Sequence, residues 1–442
     1  MKKRIISLLL TVLLTLSLSG CTGLTFNVSE LMRPPKATGE NAAIQALIDE
    51  LAGEGYSLKY PQKGTYRSAI TSVDFDRDGD EEAIAFYLPK GDATTIPLLV
   101  MDQTEEGWEV QGDFKGKGTM VDRLIFTDMD SDGTDELVVG WGTYNSLVND
   151  LTVYMIDEEG NKEFQCPNQY TEILIDDFTR NGKNDLLLLS LYSAERPATA
   201  SLVSLNDTKN SIYVAGETPM DDEVVSYNQL LTGKISESRY GAVIDGVTKD
   251  GDYNTQLLYF HDYFSSLECV RFTENLPTNQ ALRSYATKSQ DIDGDGVIEI
   301  PNTFRMPLDT SQLDAVPSAQ VYWCEFTDLG TLEVNETCIA SIVYSFFFFT
   351  PDNWQDKVTA YVNYSTSEVT FCEWDPKKGN GDILLVIKIF DNAVWNDGIS
   401  GKGYTELAKN DSQVYAFSIP QSNNSLMMTN EQVKDAFTLA KK

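Results

Sequence analysis

Three segments of this chain obey one nine-residue rule, Asp-x-Asp-x-Asp-Gly-x-x-Glu: Asp74–Glu82, Asp128–Glu136 and Asp291–Glu299. Each crowds at least four carboxylates into a stretch the length of a tight turn. Like charges so close disfavour ionisation unless something positive sits among them. The repetition therefore constrains the chain twice. It predicts a fold built from repeated units, and it predicts oxygen ligands for a hard cation in each complete unit. Two decayed versions, beginning at Asp177 and Asp245, lie between the second and third complete copies.

The flanks of these loops read as strands. Ala69–Val73 enters the first and Ala83–Tyr87 leaves it; Arg123–Phe126 and Leu137–Val139 flank the second. The first decayed copy runs from Glu172–Ile175 through Asp177–Gly182 to Asp185 and Leu186–Leu189. The other runs from Val243–Asp245 through Lys249–Asp252 to Leu257–Phe260, out of register by one residue. Loop starts at 74, 128, 177, 245 and 291 are separated by 54, 49, 68 and 46 residues. A period of that size, with several short strands per unit and a turn at a fixed place, predicts propeller blades over the shorter, more regular repeats of a solenoid. From about Thr65 to Ala340 the units resemble the FG-GAP/VCBS repeat family of calcium-binding β-propellers. That resemblance implies a mainly β fold, a propeller of five to seven blades, with roles in adhesion or as an accessory binding domain.

Carboxylate and carbonyl oxygens are hard ligands, and calcium takes roughly six to eight of them. In the first loop Asp74, Asp76 and Asp78 would supply side-chain oxygens, Asp80 its carbonyl, and Glu82 the closing carboxylate, with Gly79 permitting the sharp turn. The second places Asp128, Asp130, Asp132, Thr134 and Glu136 identically. The third places Asp291, Asp293, Asp295, Val297 and Glu299, and valine there argues that this position acts through its backbone. An EF-hand requires a glutamate at its twelfth loop position, where this chain has Ala85, Val139 and Asn302, and it requires helices on both sides. Magnesium demands stricter octahedral geometry, so Ca2+ is the expected cofactor. Ion-free Asp/Gly hairpins are the structural alternative. The loop offering Asp177, Thr179, Asn181 and Asp185 is a weak metal candidate, and the one at Asp245 is expected empty.

The ends carry different information. Lys2, Lys3 and Arg4 precede an apolar run, Ile5–Leu18, too short to span a bilayer comfortably. It ends in Leu18-Ser19-Gly20-Cys21, which resembles a bacterial lipoprotein cleavage box. That resemblance implies a signal peptide over 1–20, lipidation at Cys21, and a mature chain on the extracytoplasmic face of the cell membrane. Residues 21–38, with Pro34-Pro35, read as a tether. Glu40–Ala52 reads as a helix with Ile44, Leu47, Ile48 and Leu51 on one face. The body is expected to comprise this helix and the propeller over 39–340. A small C-terminal α+β domain follows over 341–442, closing in a helix capped by Thr429 that buries Val433, Ala436, Phe437 and Ala440.

A formal net charge of −33, deepened by loss of the three N-terminal basic residues, argues against nucleic acid as a partner. Beyond Cys21 the cysteines are Cys166, Cys269, Cys324, Cys338 and Cys372, none in a Cys-x-x-Cys spacing, which gives no support to zinc or redox chemistry. The lone histidine, His261, and the absence of hydrolase, metalloprotease or phosphate-loop motifs favour a non-enzyme. The expected function is therefore a lipid-anchored binding module for an extracellular protein or glycan. The alternative is an envelope enzyme acting on polysaccharide through a carboxylate pair.

Overall fold

The computed structural model describes residues 40–91, 94–104, 107–157, 160–272, 283–309, 315–396, 398 and 401–440. The expected signal peptide, Cys21 and the tether lie outside the described residues. The chain is mainly β and folds as a β-propeller, its strands forming six antiparallel sheets in succession. The first contains Ser57–Lys59 and Ile70–Val73, which share one edge of Glu82–Leu88, followed by Leu98–Thr104 and Gly107–Phe114. The second is Met120–Thr127, Glu136–Gly142, Asp150–Met155 and Lys162–Gln165. Glu172–Asp176, Asp185–Ser190, Thr199–Leu205 and Ile212–Pro219 make the third; Val224–Lys234, Tyr240–Thr248, Tyr253–His261 and Ser266–Arg271 the fourth.

Continuous apolar runs explain how these sheets pack. In the second strand of sheet two, Leu137 and Val139 join the core shared with sheet one, while Val138 joins the core shared with sheet three. The same division recurs in sheet three, where Leu186 and Leu188 face back and Leu187 and Leu189 face forward. A strand buried on both faces needs apolar residues at every position instead of alternating ones. Each sheet thus shares a dry layer with the next, as blades do.

Glu40–Ala52 forms the expected helix and lays Ile44 and Ile48 on Ala83, Ala85, Leu99 and Met101 of the first sheet, with Leu47 half-buried beside them. Leu51, placed on the same stripe by the sequence, is instead 43% exposed.

The boundary expected at 340/341 runs through the fifth sheet, which joins Ile300–Arg305, Ala319–Phe326 and Leu332–Ser341 to Phe346–Phe349 and Phe437–Leu439. The sixth sheet takes Ala315–Pro317 in return, beside Val358–Asn363, Glu368–Asp375, Gly379–Asp391, Gln413–Ser418 and Thr405–Lys409. One core, including Phe346, Phe348, Trp354, Phe371 and Val433, binds the two sheets together. The C-terminal helix is shorter than its pattern implied. It spans Asn430–Asp435, with the Thr429–Gln432 capping box in place, and Phe437–Leu439 leave it to pair with Phe346–Phe348.

Candidate metal centres

The first two complete loops join neighbouring strands of a sheet, the third runs from an isolated bridge at Gln290 into the first strand of the fifth sheet, and the residues that close all three pair in the same way. Val73 faces Glu82, Thr127 faces Glu136 and Gln290 faces Glu299. Eight residues are thus enclosed between a fixed pair, which sets the curvature. The residue three after the first Asp is left-handed each time: Arg77 at φ 62°, Ser131 at 62° and Gly294 at 88°. The turn glycines that recur in each copy, Gly79, Gly133 and Gly296, lie at φ 103°, 100° and 90°.

Within this frame three members of each predicted set converge, while Glu82, Asp132 and Glu299 stand outside the trio of their own loop. Ligand oxygens of Asp74, Asp76 and Asp78 lie within 4.8 Å of one another, as do those of Asp128, Asp130 and Glu136, and those of Asp291, Asp293 and Asp295. Backbone amides brace them. Thr134 N donates to Asp132 at 2.9 Å, Val297 N to Asp295 at 2.7 Å and Asp80 N to Asp78 at 2.9 Å. Each of these amides belongs to the residue at which a carbonyl ligand is expected, and the Asp80 carboxylate is not in the cluster of Asp74, Asp76 and Asp78.

The closing glutamates share one more contact. Glu82 accepts from Phe75 N at 2.9 Å, Glu136 from Met129 N at 2.6 Å and Glu299 from Ile292 N at 2.8 Å, each through Oε2. Glu82 and Glu299 are wholly buried, yet among the described residues their Oε1 atoms have no hydrogen-bond partner; nor has Asp74 Oδ1. A buried polar atom left unpaired is costly, and a buried carboxylate more so. Burial first, then the neighbouring aspartates, pushes Glu82 and Glu299 up to about 7 and Glu136 up to about 8.

The loops differ in what surrounds them. In the second, Lys209 from sheet three reaches across, its Nζ 2.8 Å from Asp130 and 2.7 Å from Asp132. Those contacts raise Lys209, and despite burial they hold Asp132 below its ordinary value. Asp132 accordingly stands outside the converging trio. The fifth-sheet loop has an acidic neighbour that the motif does not include. Glu325 groups with Asp293 and Glu299 within 4.8 Å, and burial together with Asp295 and Asp293 raises its carboxyl. Ile300 pairs with Cys324, so Glu325 sits one register step on, opposite Glu299. Ala83 pairs with Met101, which puts Asp102 opposite Glu82 in the same relation. No local pattern marks Asp102 or Glu325; only strand register brings them to the loops.

The weak candidate is satisfied from within the protein. Asp185 takes the position of the closing glutamate, and its Oδ2 accepts from Thr179 N at 3.0 Å and Thr179 Oγ1 at 2.9 Å, its Oδ1 from Ser204. Asp177 accepts from the amides of Asn181 and Gly182 at 2.9 Å, and Asn181 from Lys183 N.

The copy read at Asp245 is misplaced. Lys249–Asp252 turns between the second and third strands of sheet four, whereas the position of the acidic loops is held by Ile235–Arg239, a shorter hairpin closed by Lys234 and Tyr240. Asp245 is inside the strand, wholly buried and ion-paired to Arg283 at 3.0 Å.

No family model and no curated protein matches this chain. Among solved structures it is similar to a protein from Lactobacillus plantarum, at 10% identity over 73% of this chain and 85% of that one, with a TM-score of 0.27. It is also similar to the exotype rhamnogalacturonan lyase YesX, at 12% identity over 74% of each chain and a TM-score of 0.31. A third likeness is to the Dos1 propeller, at 12% identity over 79% of this chain and 88% of that one, with a TM-score of 0.25. Likenesses this faint say nothing of activity, and the blades are assigned from the sheets themselves.

Proposed function

We propose that this chain is a calcium-braced propeller, tethered outside the cytoplasmic membrane by lipid on Cys21 and serving as a binding module for an extracellular protein or glycan. Cys21 and its lipid belong to this reading through the sequence alone. One observation carries the calcium part. In the loops at 74–82 and 291–299 a wholly buried glutamate is fixed by one oxygen and leaves the other unpartnered beside an aspartate trio. A Ca2+ ion would complete that oxygen and neutralise the crowding. Asp102 and Glu325 add charge to the two loops with unpartnered glutamates. Asp128, Asp130 and Glu136 would hold an ion only where it displaces the Lys209 ammonium, so that site is the weakest of the three. The Asp177 loop, saturated by hydroxyls and amides, holds none.

The test is calcium titration calorimetry on chelator-stripped protein, with thermal melting alongside. Two strong sites, a weaker third and a marked rise in melting temperature are expected; saturation about a hundredfold above Kd contributes about 2.7 kcal/mol per site. Absence of heat and of any shift would reduce the loops to ion-free turns.

A further inference from the structure

At the edge of sheets three and four, where the acidic loop of the fourth blade is replaced by Ile235–Arg239, the surface loses the acidic excess of the rest of the chain. A cleft of about 510 Å³ opens there, lined by Arg180, Lys234 and Arg239 against two carboxylates, Glu237 and Asp262. In a chain with 67 acidic and 34 basic residues, a cation excess in one cleft runs against composition. Arg239 is committed to the wall: it donates to the carbonyl oxygens of Thr327 and Asp328 and lies over the Tyr259 ring at 5.1 Å. Arg180 and Lys234 are exposed and have no acidic partner among the described residues. Arg180 is held over the ring of Tyr240 at 4.7 Å, so its guanidinium is pre-positioned without being neutralised.

Aromatic surface completes the cleft. Tyr263 is 85% exposed at its lip, and the His261 ring lies 4.6 Å from that of Phe264. His261 Nδ1 is shielded from water and lacks a hydrogen-bond partner. Exposed rings beside unpaired cations suit a ligand with a flat C–H face and a carboxylate. The rings take the face, and the guanidinium takes the carboxylate by charge-assisted hydrogen bonds. The volume lies in the range of small-ligand sites.

We propose that this cleft binds a uronate-bearing glycan, with Arg180 and Lys234 holding a sugar carboxylate, Tyr240 holding Arg180 in place, and Tyr263 stacking on the sugar ring. The inference names the glycan class for the binding module proposed above; no residue of a complete acidic loop lines the cleft, but the Lys234 backbone pairs with Val297 of the last loop, so titration with and without calcium is what separates the two readings. Isothermal titration of the full chain with a short uronate oligosaccharide, in chelator and then in calcium, tests it. Saturable binding in both conditions is expected. It should be roughly tenfold weaker in the R180A/K234A double variant, and weaker again as salt rises. Tyr263→Ala, at an exposed position, should weaken binding several-fold without lowering the melting temperature. A neutral oligosaccharide of equal length should bind roughly tenfold more weakly. Equal binding of the neutral sugar, undiminished binding by the double variant, or no binding at all would overturn the proposal. Binding that vanishes in chelator and survives the double variant would assign the glycan to the calcium loops and overturn it as well.

Discussion

Burial lifts Glu299 from an ordinary 4.5 to about 7, and this has a direction that can be tested. A carboxyl whose folded value is raised binds its proton more tightly in the native state than in the unfolded chain. Native stability from this group is therefore greatest below about pH 4.5 and is lost as pH climbs through 7. At pH 8 in chelator the protein pays to keep Glu299 ionised. Glu299→Gln should raise the melting temperature there and flatten its fall with pH, while reducing the gain that calcium gives the wild type. A variant that melts lower in chelator and gains as much from calcium would remove Glu299 from the site. The five described cysteines are free, and burial pushes each thiol up to about 12. Thiolate is the reactive form, so a thiol reagent at pH 8 should leave the native protein nearly untouched. After denaturation, five reactive thiols are expected if the sulfur of Cys21 carries lipid, and all six cysteines if it does not. The clustering of the motif aspartates was legible at this scale because their spacing is local. Asp102 and Glu325 were not, since nothing near them in sequence reveals which loop they face.

At the scale of the hairpin, alternating aspartates and a glycine at a fixed offset specified the loop, and the structure adds a second left-handed residue two places earlier. Arg77 and Ser131 adopt it at a cost, whereas the last copy uses Gly294. The first decayed copy keeps the bend, with Arg180 at φ 54°, but its cage is closed by Thr179 and Ser204. Backbone shape therefore persists where the carboxylate pattern does not. Gly296→Ala tests the turn in isolation, because a Cβ there meets nothing within 4 Å and only the backbone resists. The substitution should cost about 1–2 kcal/mol in urea denaturation, in chelator as in calcium. A neutral result would mean that the loop relaxes freely. The fourth hairpin was misread for a physical reason. Strands, turn and acidic residues of Lys249–Asp252 satisfy the same local pattern, and only pairing order shows that they join the wrong two strands. Likewise the helical spacing of Val433, Ala436, Phe437 and Ala440 is real, but the open edge of Phe346–Phe349 draws Phe437–Leu439 into a sheet.

Across the whole molecule, the succession of sheets was legible because the apolar runs must be buried on both faces. Where sheets exchange strands was not legible, since Ala315–Pro317 and Phe437–Leu439 each join a sheet remote from their neighbours in sequence. The same non-local logic governs how sheet four supports the loop of sheet five. Arg283 pairs its backbone with Tyr253 at 2.7 and 2.8 Å, donates from Nε to the Thr287 carbonyl at 2.8 Å, and meets Asp245 through Nη2 at 3.0 Å. Asp245 also accepts from the amide and hydroxyl of Ser289, both at 2.8 Å. Residues 283–290, which lead directly into Asp291, are thereby fixed to the fourth sheet. Arg283 and Asp245 are both wholly buried, and removing the acid of such a pair takes the counter-charge from a cation held in a dry interior. Asp245→Asn should cost about 3–5 kcal/mol in urea denaturation. Combining it with Arg283→Met should recover much of that loss, because the buried positive charge is removed with its counter-charge. In calorimetry Asp245→Asn should weaken one calcium site, the one built on Asp291, Asp293 and Glu299, and leave the Asp74 site unchanged. Loss of both sites together would point to general unfolding. Loss of neither, with stability intact, would show that the Asp291 loop holds its shape without its neighbour.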